Sequence, residues 1–367
     1  MKIGIIGTRG IPNYHGGFEQ FAEFFSVFLK KKGHDISVYC SHDHPYQENE
    51  FEGVQLIHCK DPEHKIGTVG QFVYDFNCIQ DARKRDFDII LQLGYTSSSI
   101  WHWRMPKSAI VITNMDGLEW KRTKYSKKVQ RFLKYAESLA VKGSDYLIAD
   151  SVGIQDYLKE KYKVPSEFIA YGSVPFEDPN LDTISEYDVA PDAYNMLIAR
   201  IEPENNIETI LDGVAQMNAE VPFLVVGKHD TNKFGAAMKE KYKAHKNIRF
   251  LGGIYNLEHL NNLRYYSKVY FHGHTVGGTN PSLLEAMASK SLIVAHDNQF
   301  NEAILAEDAF YFSNAEEVTS ALRRIKSKAD FEPILINNFN KIKNSFSWEI
   351  INNAYLAFME KTYEQNK

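Results

Sequence analysis

Cysteine is scarce in this 367-residue chain, and the cysteines that are present follow no recognisable framework. Cys40, Cys59 and Cys78 are odd in number, and their spacing matches neither a zinc site nor a set of disulfides. Structural disulfides belong to oxidising compartments, so we expect the protein to work in a reducing cytosol. The scarcity of cysteine therefore excludes a small disulfide-stapled domain.

The chain also lacks long apolar runs and an excess of positive charge. The opening MKIGIIGTRG holds an apolar run too short for a signal peptide, and no later run is long enough to span a bilayer. The net charge of −5 argues against a general nucleic-acid binder. We therefore expect a cytoplasmic protein that is at most peripheral on the inner face of the plasma membrane.

What the sequence does contain is a repeated alternation of short apolar runs with helical patterns. Parallel strands joined by helical crossovers produce this alternation, and a chain of this length suits two domains. The runs that read as strands are residues 2–6, 35–40, 54–58, 88–93, 109–113, 146–150, 195–199, 222–227, 248–252, 269–273, 292–296 and 309–312. The sequence predicts an α/β protein of two Rossmann-like, doubly wound domains that face each other across a cleft.

The boundary between the domains is marked by a change in composition. Between residues 173 and 193 the periodicity stops and proline and acidic residues accumulate, which is typical of a linker. We expect a first domain at 1–172, a linker at 173–193 and a second domain at 194–347. The amphipathic segment at about 348–367 can pack back on the first domain.

The first loop, GTRGIPNYHGGFEQ, follows the first strand and ends with Gly16 and Gly17 ahead of a helix. A nicotinamide cofactor is one interpretation, but Gly4, Gly7 and Gly10 are spaced GxxGxxG rather than GxGxxG. The second strand also lacks a clear acidic residue at its end to hold a ribose. We therefore favour a loop that faces substrate or phosphate, and we expect no cofactor.

The stretch GGTNPSLLEAM, residues 277–287, is the strongest candidate for the reacting end of a bound substrate. Gly277 and Gly278 let a ligand approach the backbone, and Thr279 or Asn280 can cap the helix that follows. The start of a helix offers unpaired N–H groups and the positive end of the macrodipole, which suit a diphosphate. Glu285, one turn into the helix, either contacts the ligand or satisfies those N–H groups.

Two cations follow strands of the second domain. Arg200 in ARIEPENN suits a bidentate grip on phosphate, or it forms a salt bridge with Glu202 or Glu204. Lys228 follows the next strand and either contacts the same anion or is simply solvated. Both positions lie at the carboxyl ends of strands, where parallel sheets bind ligands.

In the first domain, Asp116 follows a strand in NMDGLEWKR, where it can orient a sugar hydroxyl, act as a base or cap the next helix. Seven cations lie in the segment Lys121–Lys134, and we expect them to face outward from a helix, where they either contact an anionic membrane surface or are simply solvated. The apolar stripe expected in that helix is Tyr125, Val129, Phe132, Leu133 and Ala136. His272 and His274 lack further ligands for a convincing metal site, so we predict none.

Taken together, these motifs resemble family 4 glycosyltransferases of the GT-B fold, and the match is closest to bacterial rhamnosyltransferases of polysaccharide synthesis. Four blocks carry the resemblance: GGFE at Gly16, DGLEWKR at Asp116, ARIEPENN at Arg200 and GGTNPSLLEAM at Gly277. Two positions depart from the family pattern. A glutamate is usual where this chain has Gly277, and a lysine is usual where it has Asn205. Many relatives also carry a histidine at about the position of Asp116.

The resemblance implies a retaining hexosyltransferase that moves a sugar onto a lipid-linked saccharide in capsule or cell-surface polysaccharide synthesis. The implied donor is dTDP-rhamnose, held by the second domain without a required metal. The catalytic residues are expected to be Asp116, Arg200 and Glu285. The expected donor-binding residues are Gly16, Gly17, Arg200, Lys228, Ile254, Gly277, Gly278, Thr279, Asn280 and Glu285. A nucleotide-sugar epimerase and a non-catalytic sugar-nucleotide-binding protein remain the alternatives.

Overall fold

A computed structural model describes residues 1–122, 124–217, 220–275 and 277–367. The chain divides into two compact units, each built around its own parallel sheet. The first unit contains residues 1–121, 125–171 and 348–367, and the second contains residues 122–124 and 172–347. The predicted fold class, two Rossmann-like α/β domains, is confirmed.

The first sheet has eight strands in the order β3-β4-β2-β1-β5-β6-β7-β8. These strands are β1 (Lys2–Ile6), β2 (Asp35–Ser41), β3 (Glu50–Phe51), β4 (Val54–Cys59), β5 (Ile89–Leu93), β6 (Ile110–Asn114), β7 (Tyr146–Ala149) and β8 (Glu167–Phe168). Only the short β3 pairs antiparallel, with β4. β1 and β5 are neighbours, but the chain passes from β1 to β2 on one side and from β5 to β6 on the other. The loops that follow β1 and β5 therefore diverge to opposite faces of the sheet.

Helices cover this sheet because their apolar residues recur with helical spacing. They are α1 (Gly17–Lys31), α2 (Glu63–Ile66), α3 (Val69–Ala82), α4 (Lys127–Gly143) and α5 (Val152–Tyr162). On α1, Phe21, Ala22, Phe25 and Leu29 are buried, at the i, i+1, i+4 and i+8 positions of one face. This spacing explains why the pattern after the first loop predicted a helix.

The second sheet is wholly parallel, with the order β11-β10-β9-β12-β13-β14. Its strands are β9 (Asn195–Ile198), β10 (Phe223–Val226), β11 (Ile248–Gly252), β12 (Val269–His272), β13 (Ile293–His296) and β14 (Phe310–Phe312). This is the 3-2-1-4-5-6 order of dinucleotide-binding folds, in which ligands bind where the order reverses. The reversal here lies between β9 and β12, so the loops that follow these two strands border the expected crevice.

The helices of the second unit are α6 (Asp182–Ser185), α7 (Ile207–Gln216), α8 (Lys233–Lys241), α9 (Leu257–Tyr266), α10 (Pro281–Ala288), α11 (Gln299–Leu305), α12 (Ala315–Arg324) and α13 (Glu332–Lys341). The segment expected to be a linker, 173–193, contains α6 and runs along this unit. Asn180 N donates to Asn262 Oδ1 at 2.7 Å, and Asp192 N donates to Tyr266 O at 2.9 Å. These bonds attach the segment to α9.

The last helix, α14 (Trp348–Gln365), belongs to the first unit. Trp348 stacks on Phe24 with ring centroids 4.9 Å apart, and Tyr355 lies 4.6 Å from Phe21. The aromatic contacts explain how the amphipathic C-terminal segment packs against α1. No helix in the described ranges is both long and apolar enough to cross a membrane.

Candidate active site

The loops after β9 and β12 are joined to each other by side-chain hydrogen bonds. Asn205 Nδ2 donates to Arg200 O at 2.7 Å, while its Oδ1 lies 3.0 Å from His274 Nδ1. Asn206 Nδ2 donates to Gly273 O at 2.8 Å. Two asparagines in ARIEPENN therefore fix the crevice wall at the switch point, which assigns Asn205 a structural role where the resembling family has a lysine.

Two glycines are required by the closeness of this packing. A Cβ on Gly273 would stand 2.0 Å from Asn205 O, so any side chain would force the two loops apart. Gly277 has φ +139°, and a Cβ there would stand 3.0 Å from His274 Nε2. The position where relatives carry a glutamate thus holds a glycine in a conformation that other residues rarely adopt.

The helix α10 begins as its sequence predicted, with Asn280 as its cap. Asn280 Oδ1 accepts a hydrogen bond from Ser282 N at 2.9 Å, and Pro281 occupies the first helical position. Thr279, the other predicted cap, is buried. Gly278 is half-buried beside it. Leu283 N and Leu284 N donate to Asn280 O, so Asn280 accepts hydrogen bonds from the N–H groups of the first turn. The positive end of the helix dipole lies at the carboxyl edge of the sheet, where an anion would be stabilised.

Arg200 stands at the end of β9 with 63% of its side chain exposed. Its Nε lies 4.0 Å from Glu202 Oε2, and an exposed pair at this distance contributes at most about 1 kcal/mol. Burial raises the pKa of Glu202, but Arg200 and Lys124 outweigh burial and hold it below its ordinary value. The guanidinium of Arg200 is therefore available to an incoming anion, which would replace Glu202 as its partner.

Glu204, the other acid considered as a partner of Arg200, is instead buried near Arg122. Glu204 Oε1 lies 3.8 Å from Arg122 Nη1, and Thr275 Oγ1 donates to Glu204 O at 2.8 Å. Arg122 and Lys124 belong to the second unit, and Lys124 Nζ lies 3.1 Å from Glu202 Oε1. These cations of the DGLEWKR block and its neighbours therefore contact the loop that carries Arg200.

Glu285 neither caps α10 nor lies free. Its Oε2 accepts a hydrogen bond from Arg264 Nη2 at 2.6 Å, in an ion pair whose guanidinium is 1% exposed. Sequence reasoning missed Arg264, although a signal was present. Arg264 shares one face of α9 with Leu260 and the buried Leu263, at the i, i+3 and i+4 spacing of a helix, so it occupies the apolar register. An arginine in that register needs a buried partner, and Glu285 is that partner.

Lys228 and Ile254 follow β10 and β11 at the same edge of the sheet. Lys228 is exposed, and its Nζ lies 5.2 Å from the centre of the Tyr255 ring. Ile254 is half-buried immediately before that tyrosine. Lys228 is a candidate to replace the lysine that the resembling family carries at the position of Asn205. No hydrogen bond or ion pair described for Lys228 joins it to Asn205, so this replacement stays a prediction.

Two groups of histidines could in principle offer metal ligands. Burial, Arg264 and His296 lower the pKa of His272 to about 3, so this ring is neutral. Elsewhere, His42, Asp43 and His64 form a surface cluster that offers three ligand atoms. His42 Nδ1 accepts a hydrogen bond from Asp61 N at 3.0 Å, so in the neutral ring Nε2 carries the proton and cannot bind a metal. This cluster fits a hydrogen-bonded trio better than a metal centre.

In the first unit, Gly16 and Gly17 lie at the start of α1. Gly16 is the cap residue in an extended conformation, and its N–H donates to Asn13 Oδ1 at 3.1 Å. Glu19 Oε1 accepts a hydrogen bond from Arg9 N at 2.8 Å, which folds the loop after β1 back on its own helix. The two glycines therefore begin a helix, as their position predicted.

Asp116 lies in the loop after β6 with φ +52°, in the left-handed region. Its N–H donates to Asn114 Oδ1 at 2.9 Å, and Asn114 Nδ2 donates to Tyr355 Oη of α14 at 2.7 Å. The hydrogen bonds described for Asp116 involve its backbone and none involve its carboxylate. Burial raises the pKa of Tyr95 most, and nearby carboxylates, including Glu137 and Asp116, raise it further. The half-buried Asp116 thus sits beside a buried phenol.

The basic segment Lys121–Lys134 departs from its prediction in two residues. Arg122 is buried, and Val129 of the expected apolar stripe is 40% exposed. Lys124 is exposed as expected, although it pairs with an acid as described above. Leu133 and Ala136 are buried as expected. The cations on the outer face of α4 are Lys127, Lys128, Arg131 and Lys134. The helix exists, and among the cations of this segment Arg122 is the one that does not face outward.

Comparisons with known proteins agree with this architecture. Residues 190–341 match the family described as glycosyl transferases group 1, and residues 1–174 match a domain of unknown function, DUF1972. A search of curated proteins gave no match. Thus the sequence comparisons bear on each domain separately.

Solved structures resemble the chain along nearly its full length. Sucrose-phosphate synthase from Thermosynechococcus elongatus gives a TM-score of 0.81 at 16% identity, covering 99% of each chain. HepE from Anabaena, in complex with UDP and glucose, gives 0.75 at 16%, covering 98% of this chain and 100% of that one. α,α-Trehalose 6-phosphate synthase from Burkholderia multivorans gives 0.75 at 11%, covering 100% and 99%. At these identities the likeness shows the fold.

Proposed function

We propose, from the premise that residues 190–341 form a glycosyl transferases group 1 domain, that this chain is a nucleotide-sugar-dependent glycosyltransferase. The observation that carries the proposal is the switch point of the second sheet. There an exposed arginine, Arg200, and the start of α10 lie on the two loops that border the crevice. Both features stabilise negative charge, and the diphosphate of a nucleotide sugar carries such charge.

The chemistry needs charge stabilisation more than it needs a strong base. Departure of the nucleoside diphosphate builds negative charge on the leaving oxygen, and fixed donors aimed at that charge lower the barrier. Arg200 supplies five N–H donors in a planar fork, and the positive end of the α10 dipole stabilises negative charge at the same edge of the sheet. The loops are held by Asn205 and Asn206, so little reorganisation is needed as the charge forms.

For the donor, we favour L-rhamnose carried on dTDP, transferred with retention of the anomeric configuration. The resemblance to rhamnosyltransferases supports this, and so does Gly277. A glutamate at that position in relatives is expected to contact the donor sugar, and rhamnose lacks the 6-hydroxyl that a hexose such as glucose offers. A glycine there is consistent with a sugar pocket of different polarity.

In the first domain, Asp116 is the candidate for orienting the attacking hydroxyl. Its carboxylate is half-buried, and the residue is fixed through Asn114 rather than through its own side chain. A carboxylate within reach of a hydroxyl can hold it in an attacking geometry or accept its proton. We assign to Asp116 the role of an acceptor-side residue.

We further propose a lipid-linked saccharide as acceptor and a peripheral position on the inner face of the plasma membrane. The basic surface that supports this consists of Lys127, Lys128 and Arg131 on the exposed side of α4. Val129, on the same helix, is 40% exposed, and Trp103, in the turn packed against α4, is 59% exposed. Each cation near an anionic leaflet contributes about 1 kcal/mol, and exposed rings suit the headgroup region.

A donor and acceptor panel tests the proposed activity. Purified protein is incubated with dTDP-rhamnose, UDP-glucose and other nucleotide sugars, each with lipid-linked saccharides, in the presence and absence of EDTA. Transfer of the sugar with release of nucleoside diphosphate is the expected result, and it should survive EDTA. Formation of an epimer of the donor, or binding without any turnover, would assign the chain to one of the alternative functions.

Co-sedimentation with vesicles tests the membrane proposal. We expect binding to anionic vesicles at low salt, and its loss at high salt or in a variant in which Lys127, Lys128 and Arg131 are changed to Gln. The matched control changes Lys239, Lys243 and Lys246 to Gln, which removes the same charge from exposed positions in the second domain. Binding that ignores vesicle charge, or that both variants lose equally, would contradict the proposal.

A further inference from the structure

Arg264 is the largest fully buried side chain described in the protein, with 1% of its surface exposed. A guanidinium cannot give up its proton at ordinary pH, so it stays charged in the interior. Removing that charge from water costs several kcal/mol unless acceptors surround it. The contacts of Arg264 therefore indicate what the fold requires of this residue.

Three acceptors surround the guanidinium. Nη2 donates to Glu285 Oε2 at 2.6 Å and to Ser282 Oγ at 3.1 Å, and Nη1 donates to Asn261 Oδ1 at 3.2 Å. The ring of Tyr270 lies 5.9 Å from the guanidinium carbon, and its hydroxyl is 2.8 Å from Ser282 Oγ. Two of these partners, Ser282 and Glu285, are on α10, so the arginine joins α9 to the helix that begins at the crevice.

We propose that Arg264 is a positioning residue that fixes the carboxylate of Glu285 for nucleotide-sugar binding. The inference rests on the proposed function and on the expectation, from the resemblance to family 4 glycosyltransferases, that Glu285 binds the donor. Arg264 is buried and does not itself reach the ligand, so its effect on binding passes through Glu285. Ser282, near the start of α10, and Tyr270, on β12, also contact the guanidinium and help to hold it in place.

The geometry separates this role from simple packing. Glu285 keeps 19% of its side chain exposed, while the Arg264 side chain that holds it keeps 1%. One oxygen, Oε2, is committed to Arg264, and the contacts described at Glu285 leave Oε1 available. A carboxylate held at one oxygen by a buried cation has lost the freedom of its terminal torsion, so its other oxygen is presented in one direction.

A double-mutant cycle tests the inference, with Kd for UDP and dTDP measured by calorimetry on the full-length protein. The four proteins are the wild type, Arg264→Lys, Glu285→Gln and the combination of both. Lysine keeps the charge but loses the fork that holds the carboxylate. We expect Arg264→Lys to weaken nucleotide binding by about tenfold in the wild-type background and by less than about twofold in the Glu285→Gln background.

The controls distinguish a loss of protein stability from a loss of Glu285 positioning. Thermal unfolding is recorded for all four proteins, because a structural role alone would lower the melting temperature and leave the loss of affinity equal in both backgrounds. Ser282→Ala, which removes one acceptor and leaves the ion pair, serves if Arg264→Lys fails to fold, and its penalty should likewise depend on Glu285. Equal penalties in the two backgrounds, or no penalty in either, would overturn the inference. A wild-type protein that binds neither nucleotide would overturn the proposed function itself, and this assignment with it.

Discussion

The two domains carry one candidate carboxylate each, and the surroundings of the two differ. Glu285 in the second domain is gripped through its side chain, by a buried arginine 2.6 Å away. Asp116 in the first domain is fixed through its backbone, by a hydrogen bond to Asn114 and a left-handed φ of +52°. The side chain of Glu285 is therefore fixed directly by an ion pair, whereas only the backbone of Asp116 is fixed.

The difference extends to the loops that follow the central strands of each domain. In the second domain, Asn205 and Asn206 join the two loops at the switch point to each other. In the first domain, the loop after β1 is folded back on its own helix through Glu19. A site that stabilises a fixed diphosphate benefits from rigid donors, whereas a site for a saccharide hydroxyl needs only one oriented carboxylate. The comparison supports placing the donor in the second domain.

The largest effect is expected from Glu285→Ala. Turnover should fall at least tenfold because the nucleotide loses a carboxylate contact. The protein should also lose about 3 kcal/mol of stability, since Arg264 is left as an unpaired buried charge. Steady-state kinetics and urea unfolding measure the two effects. Glu316→Ala, at an exposed carboxylate in the first turn of α12, is the matched control. Full activity in Glu285→Ala would reduce the ion pair to a structural one.

In the first domain, the buried carboxyl group of Asp75 gives a test that depends on pH. Ser97 Oγ donates to Asp75 Oδ2 at 2.5 Å, and burial, opposed by Ser97 and Arg9, raises the pKa of Asp75 to about 6. The folded state therefore holds this proton more tightly than the unfolded state does. Stability from this group is greatest below pH 4 and is lost as pH rises through 6, by about 3 kcal/mol.

Asp75→Asn should remove that dependence. The difference in unfolding free energy between the variant and the wild type should grow in favour of the variant as pH rises from 4 to 7. Urea unfolding at several pH values measures it, with Asp86→Asn, an exposed carboxyl of the same domain, as the control. Donor affinity should stay unchanged, because the residue belongs to the first domain. A constant difference would mean that Asp75 does not titrate in this range.

Arg200→Ala should weaken donor binding about tenfold and slow turnover with it, because the diphosphate is held in both the ground and transition states. Its melting temperature should hardly change, since the side chain is 63% exposed and its ion pair is long. Lys246→Ala is the control, because it removes an exposed cation at the amino edge of the sheet, before β11. A loss confined to acceptor affinity would reverse the assignment of the two domains.

The smallest effect is expected for Lys228→Ala, about a threefold loss of donor affinity if this lysine serves as a distant cation. Its ammonium lies over the Tyr255 ring at 5.2 Å, so it must leave that ring or reach past it. Tyr255→Leu, which frees the lysine, should strengthen binding slightly. Donor affinity indifferent to both substitutions would exclude Lys228 from the site.

Much of the fold could be predicted because its signal is local. Buried parallel strands read as continuous apolar runs, and β9 and β12 lie within a residue or two of their predicted bounds. The cap of α10 at Asn280 follows from short-range rules as well. Periodicity and capping depend only on neighbours in sequence, so both can be predicted without knowledge of the tertiary structure.

The parts that could not be predicted depend on distant residues. Arg264 on α9 and Glu285 on α10 are separated by β12 and the loop that follows it, and nothing local pairs them. Asn205 was interpreted as a lost cation, whereas its amide joins two loops that meet only in the folded sheet. Arg122 was expected to face outward with its neighbours, but a buried carboxylate on a distant loop draws it inward.

Hydrogen–deuterium exchange with a nucleoside diphosphate tests the central claim most directly. The full-length protein is exchanged alone and with saturating UDP or dTDP, and protection is compared peptide by peptide. Protection concentrated in residues 200–206 and 277–285, the loops bordering the switch point and the start of α10, is the predicted result. Protection confined to the first domain, or to the amino edge of the second sheet, would contradict the placement of the donor in the second domain.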